Sequence, residues 1–443
     1  MLNGFVFRFL VQHSVGASTR SMELEDGPMT NKSAFRLESV SGETGPLSWP
    51  SSDHTRIPTD VYLDKGIFEK EQELIFKGPS WHLLGIVADI PSPGDFISTY
   101  IGTTPVVLHR AHDNSINAYI NSCAHRGARI IRNLRGNVKY PICPYHHWRY
   151  DGTGKLTGVP LEQGMRNRGG YPEDFDKDCH GLKTLKIETI KDVIFATFDQ
   201  DAPSVRENLG AIIVERIEDV CRRPLRIVGY QRQTLQCNWK IFIENYRDTY
   251  HAPQLHSFVR EFGIVAPAER VRVDIHNGHA LLSSWLPDSS DAKFPGQNGR
   301  HKLEDPSIIE GFDALDGLQL TILQIYPGST FSTLRNQWIY RRIIPTSPTS
   351  TDMEFTWFGY KDDTEYEREC IRKQGNISGI SGYVGLEDAE VVAMIQRGIS
   401  KGDTSYIGLG GASIEGTSDH FNSEGTVRAF WKTYCESMNI ATP

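Results

Sequence analysis

No apolar run long enough to cross a bilayer occurs in this chain of 443 residues. A spanning helix needs roughly 18–20 such residues in succession, so the membrane-spanning helical classes are excluded. Positive charge is in deficit too: 47 Lys and Arg face 55 Asp and Glu, a formal net charge of −8. A nucleic-acid or anionic-membrane partner calls for the opposite sign. The acidic balance is compatible with docking a basic patch on a redox partner. No strand–turn–helix unit with a G-x-G-x-x-G pattern is present, because Gly408-Leu409-Gly410-Gly411 is too short and lies in polar surroundings. Internal repeats, coiled-coil heptads and low-complexity tracts beyond the first fifty residues are lacking as well.

What remains is an ordinary globular composition, 39% hydrophobic and 23% charged, with length for two to three domains. Of the seven cysteines, Cys179, Cys221, Cys237, Cys370 and Cys435 are scattered and odd in number. Reduced thiols and a cytoplasmic location are the simplest account. At the N-terminus, Leu2–Val11 is apolar but short and lacks a charged segment before it, which argues against a secretory signal. Ser14–Ser51 is rich in Ser, Thr, Glu and Gly, and residues 1–50 read as a flexible extension.

The other two cysteines belong to the most informative pattern. Cys123-Ala124-His125 is followed after seventeen residues by Cys143-Pro144-Tyr145-His146. Each pair offers one thiolate and one imidazole, which suits a [2Fe–2S] centre with one sulfur-ligated and one nitrogen-ligated iron. A structural zinc finger would more often run cysteine, cysteine, histidine, histidine. Arg126-Gly127 and Gly152-Thr153-Gly154 put turn formers beside both pairs, as two facing ligand loops require. A zinc site, or unconnected free side chains, are the competing readings.

The surrounding pattern predicts an amphipathic helix over residues 60–78 and then short β-type runs to about Phe198, among them Leu83–Val87, Thr104–Leu108, Ala118–Ile120 and Val193–Phe198. Helices are expected over Val205–Cys221, Trp239–Ala252, Thr364–Gln374, Asp388–Gly398 and Glu424–Met438. Strands are expected over Leu225–Leu235, Val271–Ile275, Ala280–Trp285, Leu318–Tyr326, Gln337–Ile344 and Met353–Tyr360. The fold class is therefore α+β: a small all-β [2Fe–2S] domain at residues 80–199, and a larger domain at 51–79 and 200–443 with an antiparallel sheet covered by helices.

A second constellation runs from Glu244 to His256. Asp248 and His251, three apart, share a helix face. His251 and His256 are five apart and would splay by about 140° on an unbroken helix. Pro253 disfavours helical geometry at Ala252, so a bend there could return His256 and let two imidazoles bind one ion. An iron(II) oxygenase needs a third, carboxylate ligand and open positions for O2. Glu387, Asp388 and Glu390 lie just ahead of a predicted helix, and spacing does not choose among them; carboxylates at a helix N-terminus are favoured in any case.

Together the two constellations resemble the α subunit of the Rieske non-haem iron aromatic-ring-hydroxylating oxygenases, from about residue 50 to the C-terminus. Cys123-Ala124-His125-Arg126-Gly127 and Cys143-Pro144-Tyr145-His146 match the family's cluster loops. Asn245, Asp248, His251 and His256 match its mononuclear-iron segment, and Glu387-Asp388 with Gln396-Arg397-Gly398 resembles its late acidic motif. The resemblance implies Cys123, His125, Cys143 and His146 as cluster ligands, and His251, His256 and Asp388 as ligands of a mononuclear Fe(II). It implies Asp248 and Asn245 as catalytic, with Asp248 bridging the iron site to His146 of the partner subunit. It also implies an α3 or α3β3 assembly with a small β subunit.

Within that family, Glu304–Phe312 is similar to terephthalate dioxygenases, while Ile227–Gln233 and Asn238-Trp239-Lys240 are similar to salicylate hydroxylases and anthranilate dioxygenases. All act on an aromatic carboxylate, which needs a cationic partner in an apolar pocket. Arg341 and Arg428 match arginines of the terephthalate type, and Arg341 would share a strand face with Ile339 and Ile343. The expected function is hydroxylation or cis-dihydroxylation of an aromatic acid with O2, with NAD(P)H electrons delivered by a separate flavin reductase, with or without a ferredoxin. The alternatives are a Rieske monooxygenase or demethylase acting on a non-carboxylate aromatic, and a Rieske electron carrier without catalysis.

Overall fold

A computed structural model describes residues 47–257, 261, 270–285, 303–309, 311–410, 414–419 and 423–443. Most of the expected N-terminal extension lies outside these residues. The larger part of the chain is built on an eight-stranded antiparallel sheet. Its strands follow the order Leu225–Leu235, Ser350–Tyr360, Gln337–Ser347, Ser329–Leu334, Leu318–Ile325, His279–Trp285, Arg270–His276 and Gly416–Ser418. Alternation divides the side chains between two cores. Ile339, Ile343, Met353, Phe355 and Trp357 pack with Trp239, Phe242, Val392 and Phe430, the helix-covered face. Trp338, Tyr340, Phe358 and Tyr360 pack with Ile213, Ile217, Trp81 and Phe195 on the other.

The cysteine–histidine loops belong to a separate β-rich region. A four-stranded sheet (Ile116–Ile120, Thr104–Arg110, Asp95–Ile101, Arg135–Asn137) stands beside a three-stranded one (His82–Ile86, Val193–Thr197, Lys186–Ile190). The two-stranded Arg149–Tyr150 and Leu156–Gly158 ladder closes off the second loop. The buried Asp89 carboxylate joins the two regions, accepting from Tyr340 at 2.6 Å, Tyr230 at 3.0 Å and Arg135 at 3.3 Å.

Several local readings are corrected by the structure. The helix expected over residues 60–78 is three pieces, Asp60–Leu63, Lys65–Glu71 and a π-turn at Gln72–Phe76, because Asp64 turns extended and caps the second piece through the amides of Gly66 and Ile67. Val205–Cys221 divides at Gly210, whose φ of +81° is outside helical geometry. Ser329–Leu334 is an unforeseen sheet strand, its small polar residues following a Pro-Gly turn. Finally, the helix bearing the acidic pair starts at Tyr383, so Glu387 and Asp388 stand in its second turn and not ahead of it.

Candidate metal centres

The two cysteine–histidine loops have the same backbone construction. In each, the amide four residues after the cysteine donates to the cysteine carbonyl: Gly127 to Cys123 at 2.9 Å and His147 to Cys143 at 3.0 Å. The cysteine amide in turn donates to the carbonyl five residues on, Ala128 at 2.9 Å and Trp148 at 2.8 Å. The fifth residue of each turn is left-handed, Gly127 at φ +75° and His147 at φ +56°. Two such turns bring the His125 and His146 rings to 4.6 Å between centroids. Trp148 stacks on His125 at 4.8 Å, and the Tyr150 hydroxyl lies 3.2 Å from the Cys123 sulfur. Burial pushes the Cys123 thiol up, and Cys143 beside it adds to the effect. His125 Nδ1 is buried with no hydrogen-bond partner. A pair of buried sulfurs next to an unpartnered imidazole nitrogen is a donor set that a cationic cluster satisfies.

The second site assembles from two helices held together at both ends. Trp239–Arg247 carries the first residues, and Tyr383–Gly398 crosses it. Gln396 accepts from the Asn238 amide at 2.6 Å, and Asn245 Nδ2 lies 3.3 Å from Asp388 Oδ1. The metal helix does not run on to Ala252 as the sequence pattern predicts. It ends at Arg247, Asp248 is extended (φ −82°, ψ 110°), and its carboxylate accepts from the Tyr250 amide at 2.7 Å. Pro253 then sits in the first turn of a new helix, Ala252–Leu255, where its missing amide costs nothing. The bend that returns His256 is thus made at Asp248.

His251, His256 and Asp388 each present one ligand atom, all within 4.8 Å of one another. Asp388 Oδ1 is 3.5 Å from His251 Nε2 and 3.6 Å from His256 Nε2. Burial draws the His251 imidazole down, but Asp248 and Asp388 outweigh it and hold it up at about 9. A bound cation would take the place of that proton. Two imidazoles and one carboxylate, with positions left open, are the donor set of non-haem iron(II) oxygenases. Of the other two carboxylates in the acidic motif, Glu387 faces the opposite nitrogen of His256, Nδ1, at 3.0 Å, and Glu390 is exposed.

Arg341 lies on the helix-covered face of the sheet, below the same helix. It is 7% exposed, donates to the Tyr246 hydroxyl at 2.8 Å and packs over the Tyr246 and Phe355 rings. Tyr246 also shares a hydrogen bond with Ser332 at 2.7 Å. Among the described residues no carboxylate pairs with Arg341. Arg428 is buried near the start of the Gly425–Ser437 helix, where its charge acts on Asp53 and His54.

Residues 215–439 match the family described as "Ring hydroxylating alpha subunit (catalytic domain)", and residues 80–169 match "Rieske [2Fe-2S] domain". The chain is a ring-hydroxylating oxygenase α subunit. The oxygenase is 36% identical over 403 residues to the terephthalate 1,2-dioxygenase terminal oxygenase component subunit alpha 2 of Comamonas sp, covering 88% of this chain and 97% of that one. It is 35% identical over 404 residues to the anthranilate 1,2-dioxygenase large subunit of Burkholderia cepacia, covering 88% and 95%. Its fold is that of naphthalene 1,2-dioxygenase with indole bound in the active site, at a TM-score of 0.73 and 20% identity over 88% of this chain and 93% of that one. The oxygenase therefore uses a Rieske [2Fe–2S] cluster and a mononuclear iron, and the reading as an electron carrier without catalysis is set aside. No helix among its described residues is long and apolar enough to cross a membrane.

Sequence reasoning passed over several residues that the fold brings to these centres. Trp148 and Tyr150 are not among the residues singled out from the sequence, although Trp148, an aromatic two residues after His146, is a local signal. Tyr246 and Ser332 carry no such signal, since 86 positions separate them.

Proposed function

We propose that this oxygenase hydroxylates or cis-dihydroxylates an aromatic carboxylate, with the ring beside His251, His256 and Asp388 and its carboxylate on Arg341. The observation that carries this reading is the guanidinium itself. Among the described residues no carboxylate offsets the cost of burying this arginine, and an anionic ligand would supply that charge. The Tyr246 hydroxyl fixes one edge of the fork and leaves the rest for a planar acid. The two curated relatives act, by their names, on terephthalate and anthranilate, both aromatic acids. Arg428 is a second candidate for the same role.

In this proposal Cys123, His125, Cys143 and His146 hold the cluster, and His251, His256 and Asp388 hold the iron. When bound, the cluster supplies single electrons and the iron supplies the open positions at which O2 is activated. Asn245 holds the Asp388 carboxylate by its side-chain amide. Asp248 has one carboxylate oxygen on the Tyr250 amide and the other 3.5 Å from His251 Nδ1. It makes no ion pair with Arg126 or Arg247 among the described residues, and in this proposal it bridges to His146 of the partner subunit.

The surfaces support a head-to-tail assembly of at least three copies. Residues 80–169 contain ten Lys and Arg against five Asp and Glu, a net of +5 in a chain of −8. Exposed Leu134, Ile142 and Tyr145 border the cluster loops, and exposed Tyr250, Tyr383 and Leu386 border the iron site. A separate NAD(P)H-dependent reductase completes the system, and the five cysteines outside the cluster, none in a disulfide, are in keeping with a reducing, cytoplasmic setting.

The test is turnover of terephthalate and anthranilate, alongside uncharged methyl-ester analogues, by Arg341→Ala. KM for the acids should rise about 10–100-fold, while KM for the esters stays within about twofold, as loss of a buried charge pair requires. An equal change for acids and esters would sink the reading.

A further inference from the structure

The residue next to the proposed ligand Asp388 is unassigned. We infer that Glu387 is a positioning residue for His256: it locks that imidazole in the tautomer that presents Nε2 to a metal. This inference rests on the reading of His256 as a ligand.

Glu387 has a dedicated donor for each carboxylate oxygen. Oε2 lies 3.0 Å from His256 Nδ1. Oε1 accepts from the Ser257 amide at 3.1 Å and from the Ser257 hydroxyl. A carboxylate only accepts, so His256 Nδ1 must carry the hydrogen, and the lone pair is left on Nε2. That nitrogen is the one facing Asp388 Oδ1. Successive residues of a helix point about 100° apart. One turn of the Tyr383–Gly398 helix thus addresses both sides of one imidazole, Asp388 from the metal side and Glu387 from behind.

The other histidine is held differently. Asp248 is 3.5 Å from His251 Nδ1, and that nitrogen makes no hydrogen bond of good geometry. Among the described residues, the hydrogen bond that anchors the Asp248 carboxylate comes from the neighbouring Tyr250 amide. Hence one imidazole is fixed within its own chain by Glu387 and Ser257, and the other is free to take its orientation from a carboxylate shared with a second copy. Carboxylates behind metal-binding histidines raise ligand basicity and set ring orientation, and their removal typically costs on the order of 10–100-fold in metal affinity.

The experiment is an anaerobic Co(II) titration of the cluster-loaded protein after its mononuclear metal is removed by chelation, following the visible bands of the bound ion. Glu387→Ala should weaken Co(II) binding about 10–100-fold and alter those bands, with cluster absorbance unchanged. Glu387→Gln keeps an acceptor oxygen and should fall between, and Ser257→Ala should cost least. Should Glu387→Ala lose its cluster through misfolding, the ordering of Glu387→Gln and Ser257→Ala decides instead. Co(II) affinity within twofold of wild type in the glutamate variants, with unaltered bands, overturns the inference. His256→Ala serves as the control: if it too binds Co(II) normally, the ligand reading itself has failed; if it alone loses Co(II), only the role of Glu387 has.

Discussion

The two metal regions of this oxygenase solve one problem by opposite means. The cluster site is local: two turns of identical construction, twenty positions apart from Cys123 to Cys143, each bringing a cysteine and a histidine to a β-rich platform. Its histidine His125 has an aromatic plane against it and no partner on its buried nitrogen. The proposed iron site is dispersed, since His251, in the turn before Ala252–Leu255, and Asp388, on the Tyr383–Gly398 helix, stand 137 positions apart, and its histidines have carboxylates behind them. Local turns can present soft sulfur ligands without long-range help. A site of two imidazoles and a carboxylate needs packed helices to set its angles and nearby carboxylates to set its tautomers.

The comparison predicts that the two sites can be emptied independently. His256→Ala should lose the mononuclear metal and reduce turnover by about three orders of magnitude or more, while the cluster's visible spectrum persists. Cys143→Ser should do the reverse, abolishing the cluster signal with the other metal retained. Loss of both signals in either variant would show that the sites fold as one unit. Iron analysis with visible and paramagnetic resonance spectroscopy reads both.

The platforms can be compared in the same way. The metal helix is pinned by a fully buried pair, Lys240 Nζ to Glu71 Oε1 at 2.6 Å, with Tyr434 and Trp239 also donating to Glu71. Lys240→Met leaves that carboxylate with a buried charge and no cation. It should cost about 3–5 kcal/mol in denaturant unfolding, chiefly in the larger region. Asp248→Asn tests the link between the sites: both metals should remain at wild-type stoichiometry, with turnover down roughly 10–100-fold. A normal rate would show that the carboxylate is dispensable.

A smaller effect concerns pH. Desolvation pushes the Glu244 carboxyl up to about 7, against the donors Tyr62 and Trp431 that favour its charge. A folded-state value above the unfolded one means that the native state holds the proton more tightly. The resulting stability is complete below about pH 4.5 and is lost as pH rises through about 7. Glu244→Gln keeps an acceptor for both donors and does not titrate. Its melting temperature should exceed wild type at pH 8, by an effect on the order of 1 kcal/mol, and should lose the slope between those limits. Smallest is the difference between the twin turns: His147→Gly should gain roughly 0.5–1 kcal/mol, because His147 holds a left-handed backbone where Gly127 stands in the other loop. An unchanged melting temperature would show that the His147 side chain offsets its own strain.

The chain's own order of residues determined what short-range chemistry determines. The cluster loops were readable because a thiolate and an imidazole two or three residues apart, flanked by turn formers, already constitute half a site. Leu225–Leu235 was readable to the residue, since β-branched and alternating side chains act over one strand. The helix end at Asp248 was not, because the competing signal, Pro253, is stronger locally and is neutral in a first turn. The start at Tyr383 was hidden for a related reason: Gly382 and Gly385 weaken the helical pattern, and from that turn Val384 packs against the distant Ile309 and Ile377. Which of three neighbouring carboxylates faces the histidines, and which stands behind one of them, depends on how one helix is rotated against another, joined to it by Asn245 and Asp388, 143 positions apart. That rotation is settled by side chains such as Gln396 on the Asn238 amide and Val392 in the common core. Contacts of that range leave no periodicity in sequence, so only the folded chain could decide them.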